Sequence, residues 1–316
     1  MEVSLIAEFC QNHNGNREVL KEMIASAARA QFTHGKIQGL YSSELTKRKE
    51  FENRSNPIFR PYHKEVERLS GLDLSEADEH WFVEECKAKG ITPMITVFSH
   101  DGVRRAKNAG FRSIKIASYD CSSLKLIERV ADFADEIVVS TGATSWISVM
   151  NTSQRLLDFE RSGIKVGLLH ARTVYPAKST DAGLARMLCI EGLGVRTGFS
   201  DHSLLDESGL LATKFALLLG AEIIERHYTV LPRNETKDGP VSIDESQART
   251  ISEFANLNRR NKIANLGENM YRLGEYVTIA NLEPTEIESI NATYYRGRVA
   301  SRFRDRSIFS WEDWPE

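Results

Sequence analysis

Eight short apolar runs, each followed by a longer stretch with helical spacing, recur between Val3 and Gly267, and this rhythm limits the fold more than any other feature. The runs are VSLIAEF, HGKIQG, ITPMITVFS, RSIKIAS, EIVVSTG, KVGLLHA, GVRTGFS and AEIIERH. Strand–helix alternation implies parallel pairing, and eight units match the size and rhythm of a (β/α)8 TIM barrel, an α/β fold. A doubly wound open sheet is the rival, but no G-x-G-x-x-G opens the first turn after a strand.

Local signals punctuate the pattern. Ser75 and Asp78 have capping-box spacing, and Gly90 stands where that helix must stop. LLDESGLLATKFALLLG reads as a helix between the last two strands, and ESQARTISEFANLNRRNKIANLG as a single closing helix. The polar region from Leu40 to Gly71, with Pro57 and Pro61, reads as an extended βα loop, and loops of that length inside a compact domain are usually functional. After Pro284 the chain becomes aromatic and arginine-rich with little helical period. The expected organisation is therefore a barrel over residues 1–283 and a short arm over 284–316, packed on the barrel or on a partner subunit.

Composition excludes some classes. A formal net charge of −3 argues against a nucleic-acid surface. Four cysteines without a C-x-x-C pair read as reduced thiols. No apolar stretch approaches the ~20 residues of a membrane helix, and MEVSLIAEF has no signal-peptide character. A cytoplasmic enzyme without a membrane or nucleic-acid partner is expected.

Barrel chemistry sits at the carboxyl ends of strands. Those ends carry Glu8 and the Asn12-His13-Asn14 loop; Lys36 and Gln38; Thr96 and Ser99; Lys115, Ser118 and Asp120; Ser140 and Thr141. The last three carry His170, Thr173 and Tyr175; Ser200, Asp201 and His202; and His227. A lysine inside an apolar strand needs an anionic partner, and with hydroxyl donors beside it suits a ligand rich in phosphate or carboxylate oxygens. His202 and His227 end neighbouring strands, where they can share a divalent cation. Each has a plainer reading. A strand lysine can snorkel, a lone histidine is more often structural, and Ser140-Thr141-Gly142 can be helix-capping chemistry. Cys10 and Cys121 read as small buried hydrophobes, and His13 and His170 as supporting or core residues. The recurrence of polar groups at the same end of successive strands favours a site.

IAEFCQNHNG, GKIQ, KIASYD, VSTGAT, LLHARTVYP, GFSDHS and IIERHYT also fall in the order and spacing of the N-acetylneuraminate (sialic acid) synthase family, which this chain resembles over roughly residues 3–250. The resemblance implies a (β/α)8 barrel that condenses phosphoenolpyruvate with an aldose, N-acetylmannosamine or a related sugar. The products are a nonulosonic or other 3-deoxy-2-keto sugar acid and phosphate, and a divalent metal, Mn2+ or Mg2+, is required. It implies His202 and His227 as metal ligands, and Glu8, Asp120, Lys36 and Lys115 as the catalytic set. Gln38, Thr96, Ser118, Ser140, Thr173, Tyr175 and Ser200 match substrate-binding positions. A homodimer is the family expectation.

The chain departs from that pattern at three places. Thr173 stands where the family has asparagine; Val241 stands where it has aspartate after Gly-Pro, with Asp238 on the other side of that pair. The family's C-terminal antifreeze-like domain, whose arginine reaches the sugar in the partner's site, is expected to be absent, with Arg296, Arg298 and Arg302 the candidates to replace that arginine. Two other readings compete: another metal-dependent TIM-barrel aldolase or hydrolase, and a non-catalytic sugar-binding relic.

Overall fold

Each apolar run is a strand in the computed structural model, which describes residues 3–54, 60–205, 210–278 and 282–315. The strands are β1 (Ser4–Cys10), β2 (His34–Gly39), β3 (Thr92–Val97), β4 (Ser113–Ile116), β5 (Glu136–Ser140), β6 (Lys165–Ala171), β7 (Arg196–Asp201) and β8 (Ile223–His227). All neighbours pair in parallel and β8 closes back onto β1. The closed (β/α)8 barrel is the fold expected from the alternation.

The helices that cover it are α1 (Arg17–Arg29), α3 (Glu76–Ala88), α4 (His100–Ala109), α5 (Leu124–Ala131), α6 (Trp146–Arg161), α7 (Leu184–Glu191), α8 (Leu211–Leu218) and α9 (Glu245–Ala255), with α2 (Tyr62–Ser70) inserted before α3. Ser75 and Asp78 form the expected capping box of α3, and Gly90 follows it at φ +74°. Two element readings need correction. The region from Leu40 to Gly71 is not all loop: α2 lies in it, started by Pro61, whose fixed φ suits a helix entry. Pro57 lies outside the described residues, as do residues 206–209 of the stretch before α8. The closing helix is two helices, α9 and α10 (Arg259–Leu266), because the Asn258 side chain caps a new start by accepting from the Asn261 N–H. A short α11 (Leu273–Tyr276) follows.

Inside the barrel the side chains stack in layers. The floor is a polar knot around Glu136, which accepts from Ser113 at 2.6 Å and pairs with His34 at 3.0 Å and Arg196 at 3.3 Å. Above it, Ile6, Met94, Val138, Leu169 and Ile223 form a dry plug separate from the larger core under the helices. Two residues further along β1, β3, β5 and β8 come Glu8, Thr96, Ser140 and Glu225, so the period of two lifts the next inward layer into the mouth. Gly198 lets β7 and β8 approach: a Cβ there would stand 1.9 Å from the carbonyl oxygen of Ile223.

Past the barrel the chain forms α12 (Glu286–Tyr295) and a hairpin of β9 (Ser301–Phe303) and β10 (Arg306–Ile308). The tail thus holds a helix its composition did not announce, started by a capping box of Thr285 and Glu288. It lies across the mouth: Glu288 accepts from the backbone N–H of Thr173 at 3.2 Å, and Asn291 donates to the Thr173 carbonyl at 2.7 Å.

Candidate active site

The thirteen residues that the resemblance assigns to the site all line one cavity of about 420 Å³ at the carboxyl end of the barrel. Strand register brings them level: Glu8 stands beside Lys36 on one side and His227 on the other, Thr96 beside Lys115, and Ser200 beside Glu225.

The base of the cavity is an ionic cluster. Lys36 pairs with Glu8, donates to Thr96 Oγ1 at 3.1 Å, and lies 3.3 Å from Glu225. Lys115 lies 3.2 Å from the same Glu225 carboxylate, which also accepts from Ser200 at 2.8 Å. None of the four charged residues is more than 3% exposed. Burial opposes the charge on Lys36, but Glu225 and Glu8 outweigh it and raise the pKa. Lys115 has less compensation, so burial lowers it to about 8. Glu225 stays ionised because its two lysine neighbours overcome its burial. Glu225 lies in the AEIIERH run but is not among the site residues expected from the sequence. Side-chain parity identifies it, since Glu225 and His227 are two apart on one strand and face the same way.

The same parity corrects two further readings. Asp201, one residue from Ser200, faces outward: its carboxylate takes Arg226 at 2.6 Å and Thr213 at 2.6 Å behind the barrel wall. Cys10, two residues from Glu8, is not a hydrophobic filler. Its thiol donates to Asp238 at 2.9 Å and accepts from Gln38 Nε2 at 3.1 Å, in the cavity wall. The ladder slips between Glu8 and Cys10, and Cys10 has a φ of +49°, uncommon for a residue other than glycine. Cys121, by contrast, is fully buried against Thr152, as expected.

His202 and His227 face each other with ring centroids 5.4 Å apart. His202 Nδ1 is 2.8 Å from the Arg172 carbonyl, which assigns the proton to that nitrogen and turns the Nε2 lone pair to Tyr175 and Ser200. Burial, then His227, lowers the His202 pKa to about 3, so the ring is neutral. His227 Nδ1 is buried without a hydrogen-bond partner among the described residues. One donor atom each from Cys10, His227 and Asp238 lie within 4.8 Å of one another, a spacing that fits a cation. Asp238 thus occupies the wall, while Val241 is a buried core residue.

The opposite wall is neutral. Ser118 Oγ accepts from the Gly142 N–H at 3.2 Å, and a Cβ on Gly142 would stand 2.7 Å from Thr173 Cγ2 and 3.0 Å from Ser118 Oγ. Ser140-Thr141-Gly142 is therefore not a helix cap, since Ser145 is the N-cap of α6; Ser140 lines the cavity, and Thr141 donates to the Leu169 carbonyl at 3.1 Å. Asp120 accepts from Ser310 at 2.6 Å and from Ser123 at 3.3 Å, and burial raises its pKa. His13 accepts from the Gly15 N–H, and His170 reaches the Ala182 carbonyl at 2.7 Å and stacks on Phe199, so both are structural.

The outer rim holds Arg60, Arg68, Lys237 and Arg298. Of the three tail arginines only Arg298 lines the cavity. Arg296 is spent on the Tyr119 carbonyl and Ser122, and Arg302 sits on β9, where its backbone N–H bonds Asp101. The rim comes from the insertion between β2 and α3, the loop between β8 and α9, and the tail, and no local sequence signal joins them.

Comparison with known proteins gives the same frame. N,N'-diacetyllegionaminic acid synthase of Legionella pneumophila is 25% identical over 254 residues, covering 78% of this chain and 69% of that one. N-acetylneuraminate-9-phosphate synthase of Drosophila melanogaster is 24% identical over 259 residues, covering 79% and 66%. The crystal structure of N-acetylneuraminic acid synthetase from Leptospira borgpetersenii, in complex with citrate, shares the fold with a TM-score of 0.67 at 24% identity, over 94% of this chain and 92% of that one. The NeuB family model matches residues 23–264, which bears out the resemblance read from the seven motifs: the chain belongs to the NeuB family.

Proposed function

We propose that this protein condenses phosphoenolpyruvate with an aldose to give a 3-deoxy-2-keto sugar acid and inorganic phosphate. The observation that carries the reading is the pair of buried lysines at the base of a NeuB-family barrel, each held by a carboxylate that an incoming anion can replace. Lys36 and Lys115, with Thr96, Ser118, Ser140 and Ser200 around them, suit the carboxylate and phosphate oxygens of the donor. Two lysines against Glu8 and Glu225 leave no net charge, so a donor with about three negative charges at neutral pH needs further positive charge.

His202 and His227 would hold a divalent cation there, with Cys10 and Asp238 within reach of His227; the orphaned His227 nitrogen and the neutral His202 ring fit that use. When bound, such a cation supplies Lewis acidity toward the aldehyde oxygen of the acceptor. The chain's own groups do the rest. A C–C bond forms between C3 of the donor and the aldehyde carbon, and water adds at C2 of the donor. Glu8 and Asp120, whose pKa burial raises, are the carboxyl groups that would handle that water's proton. Phosphate then leaves by C–O cleavage, held by Lys36 and Lys115. Gln38, Thr173 and Tyr175 line the space left for the sugar. The four free thiols fit a reducing, cytoplasmic compartment.

The test is phosphate release from phosphoenolpyruvate across a panel of aldoses, with and without Mn2+ after chelation. Lys115→Ala should lower kcat/KM by at least about a hundredfold if it carries charge-assisted contacts to the leaving group. Absence of release with every sugar would remove the synthase reading. Titration with Co2+ gives a second readout of the cation: thiolate-to-metal absorption should be present in the native protein and lost in Cys10→Ser if Cys10 joins the histidines.

A further inference from the structure

The outer rim of the cavity carries more positive charge than the donor requires. Glu65 is wholly buried, and three guanidiniums converge on it: Arg68 at 2.8 Å, Arg298 at 3.2 Å and Arg60 at 3.6 Å. One carboxylate cannot saturate three forks of five N–H donors each. The Arg60 approach is too long for a hydrogen bond, and its Nη1 is buried with no partner among the described residues. Arg68 spends one further donor on Gln11, and Arg298 lies over the Tyr295 ring. Lys237 lines the same space, reaches solvent, and has no hydrogen bond or ion pair among the described residues. Its neighbour Asp238 is engaged by the Cys10 thiol. The rim is therefore four cations around Glu65 and a committed Asp238, at the end of the cavity away from the Lys36–Lys115 base.

We infer that the acceptor sugar carries a phosphate monoester remote from its aldehyde, received by Arg60, Arg68, Lys237 and Arg298. Three arginines fanned by one buried carboxylate present fixed, forked donors, the geometry that tetrahedral oxyanions match best, and a dianion cancels the excess charge. A neutral sugar would leave those donors facing hydroxyls, a poor return for holding four cations together. The inference rests on the condensation reading for its catalytic part. A carboxylate at the same place, as in a uronic acid, shares the chemistry and is separated by experiment.

The experiment compares free aldoses, their terminal phosphate esters and the matching uronic acids as acceptors in phosphate release from phosphoenolpyruvate. The esters should exceed the free sugars in kcat/KM by about tenfold or more, as expected for charge-assisted bonds. Lys237→Gln and Arg298→Gln should each erode that ratio, chiefly through KM, with Arg298→Lys restoring part of it. Equal or better use of free sugars, or a ratio unchanged in both variants, overturns the inference. Preference for uronic acids over esters overturns the phosphate and keeps the anion site. If no acceptor of any kind releases phosphate, the condensation reading fails, and calorimetry with the same sugars still decides. Binding of esters but not free sugars, weakened in Lys237→Gln, supports the rim as an oxyanion receptor; its absence overturns it.

Discussion

Lys115 is the residue whose ionisation most directly tunes the site. Its pKa of about 8 lies below the ordinary lysine value of 10.5, so the folded protein disfavours the charged form. In the free enzyme the ammonium is full below about pH 8 and is lost above it. Affinity for an anionic donor should therefore fall as pH rises from about 8 toward 10.5. Stability should move the other way over that window, because the cost of the buried cation is relieved. The measurement is KM for phosphoenolpyruvate against pH, and Lys115→Arg, which cannot titrate there, should flatten the profile. Much of this chemistry was legible residue by residue, because strand ends in a barrel converge and side chains alternate. Glu8, Lys36, Thr96, Lys115, Ser200, His202 and His227 follow from position alone. Parity carried one step further selects Cys10 and Glu225 and rejects Asp201. Asp238 was not readable that way, since it sits in a loop where no period applies.

Among the elements, the strands were easier to read than the connections. A buried parallel strand declares itself by composition, whereas α2 and α12 lie in segments whose polar and arginine content masks their helical character. Their meaning lies in a long-range contact, the meeting of Glu65 on α2 with Arg298 after α12, which no spacing rule anticipates. Burial pushes the Glu65 carboxyl up, but Arg68, Arg298 and Arg60 outweigh it and bring it down to about 2 from 4.5. A carboxylate with a depressed pKa stabilises above its unfolded value and loses that contribution as pH falls through its folded one. The difference corresponds to roughly 3 kcal/mol, present above about pH 4.5 and gone below about pH 2. Acid titration followed by tryptophan fluorescence should show Trp311 and Trp314 changing environment in that window. Glu65→Gln should show the change already at neutral pH; an unaltered signal would mean the arm is held by other contacts.

At the scale of the whole molecule, the barrel and the tail build one cavity. Ser310 donates to Asp120, Glu288 bonds the Thr173 backbone, and Arg298 closes the rim, so three parts of the tail reach three walls of the cavity. Removing residues 284–316 should leave the far-ultraviolet circular dichroism of the barrel largely unchanged and lower acceptor use far more than donor binding. Calorimetry with phosphoenolpyruvate beside a steady-state assay separates the two. Equal loss of both would show that the tail supports the barrel itself. The barrel was readable because its periodicity repeats eight times; the tail's role was not, because it depends on where a folded barrel presents its mouth.

The division between strand-borne base and loop-borne rim has a practical consequence for engineering. The base is locked into the hydrogen-bonded wall of the barrel, where every change disturbs two neighbouring strands. The rim hangs on one buried carboxylate and draws on three segments that the barrel does not need for closure. If the rim receives the acceptor as proposed, directed evolution confined to Arg60–Arg68, to Lys237 and to Arg296–Val299, with Asp238 held fixed, can sample new acceptors without touching the strand-borne base or the Cys10–His227–Asp238 cluster.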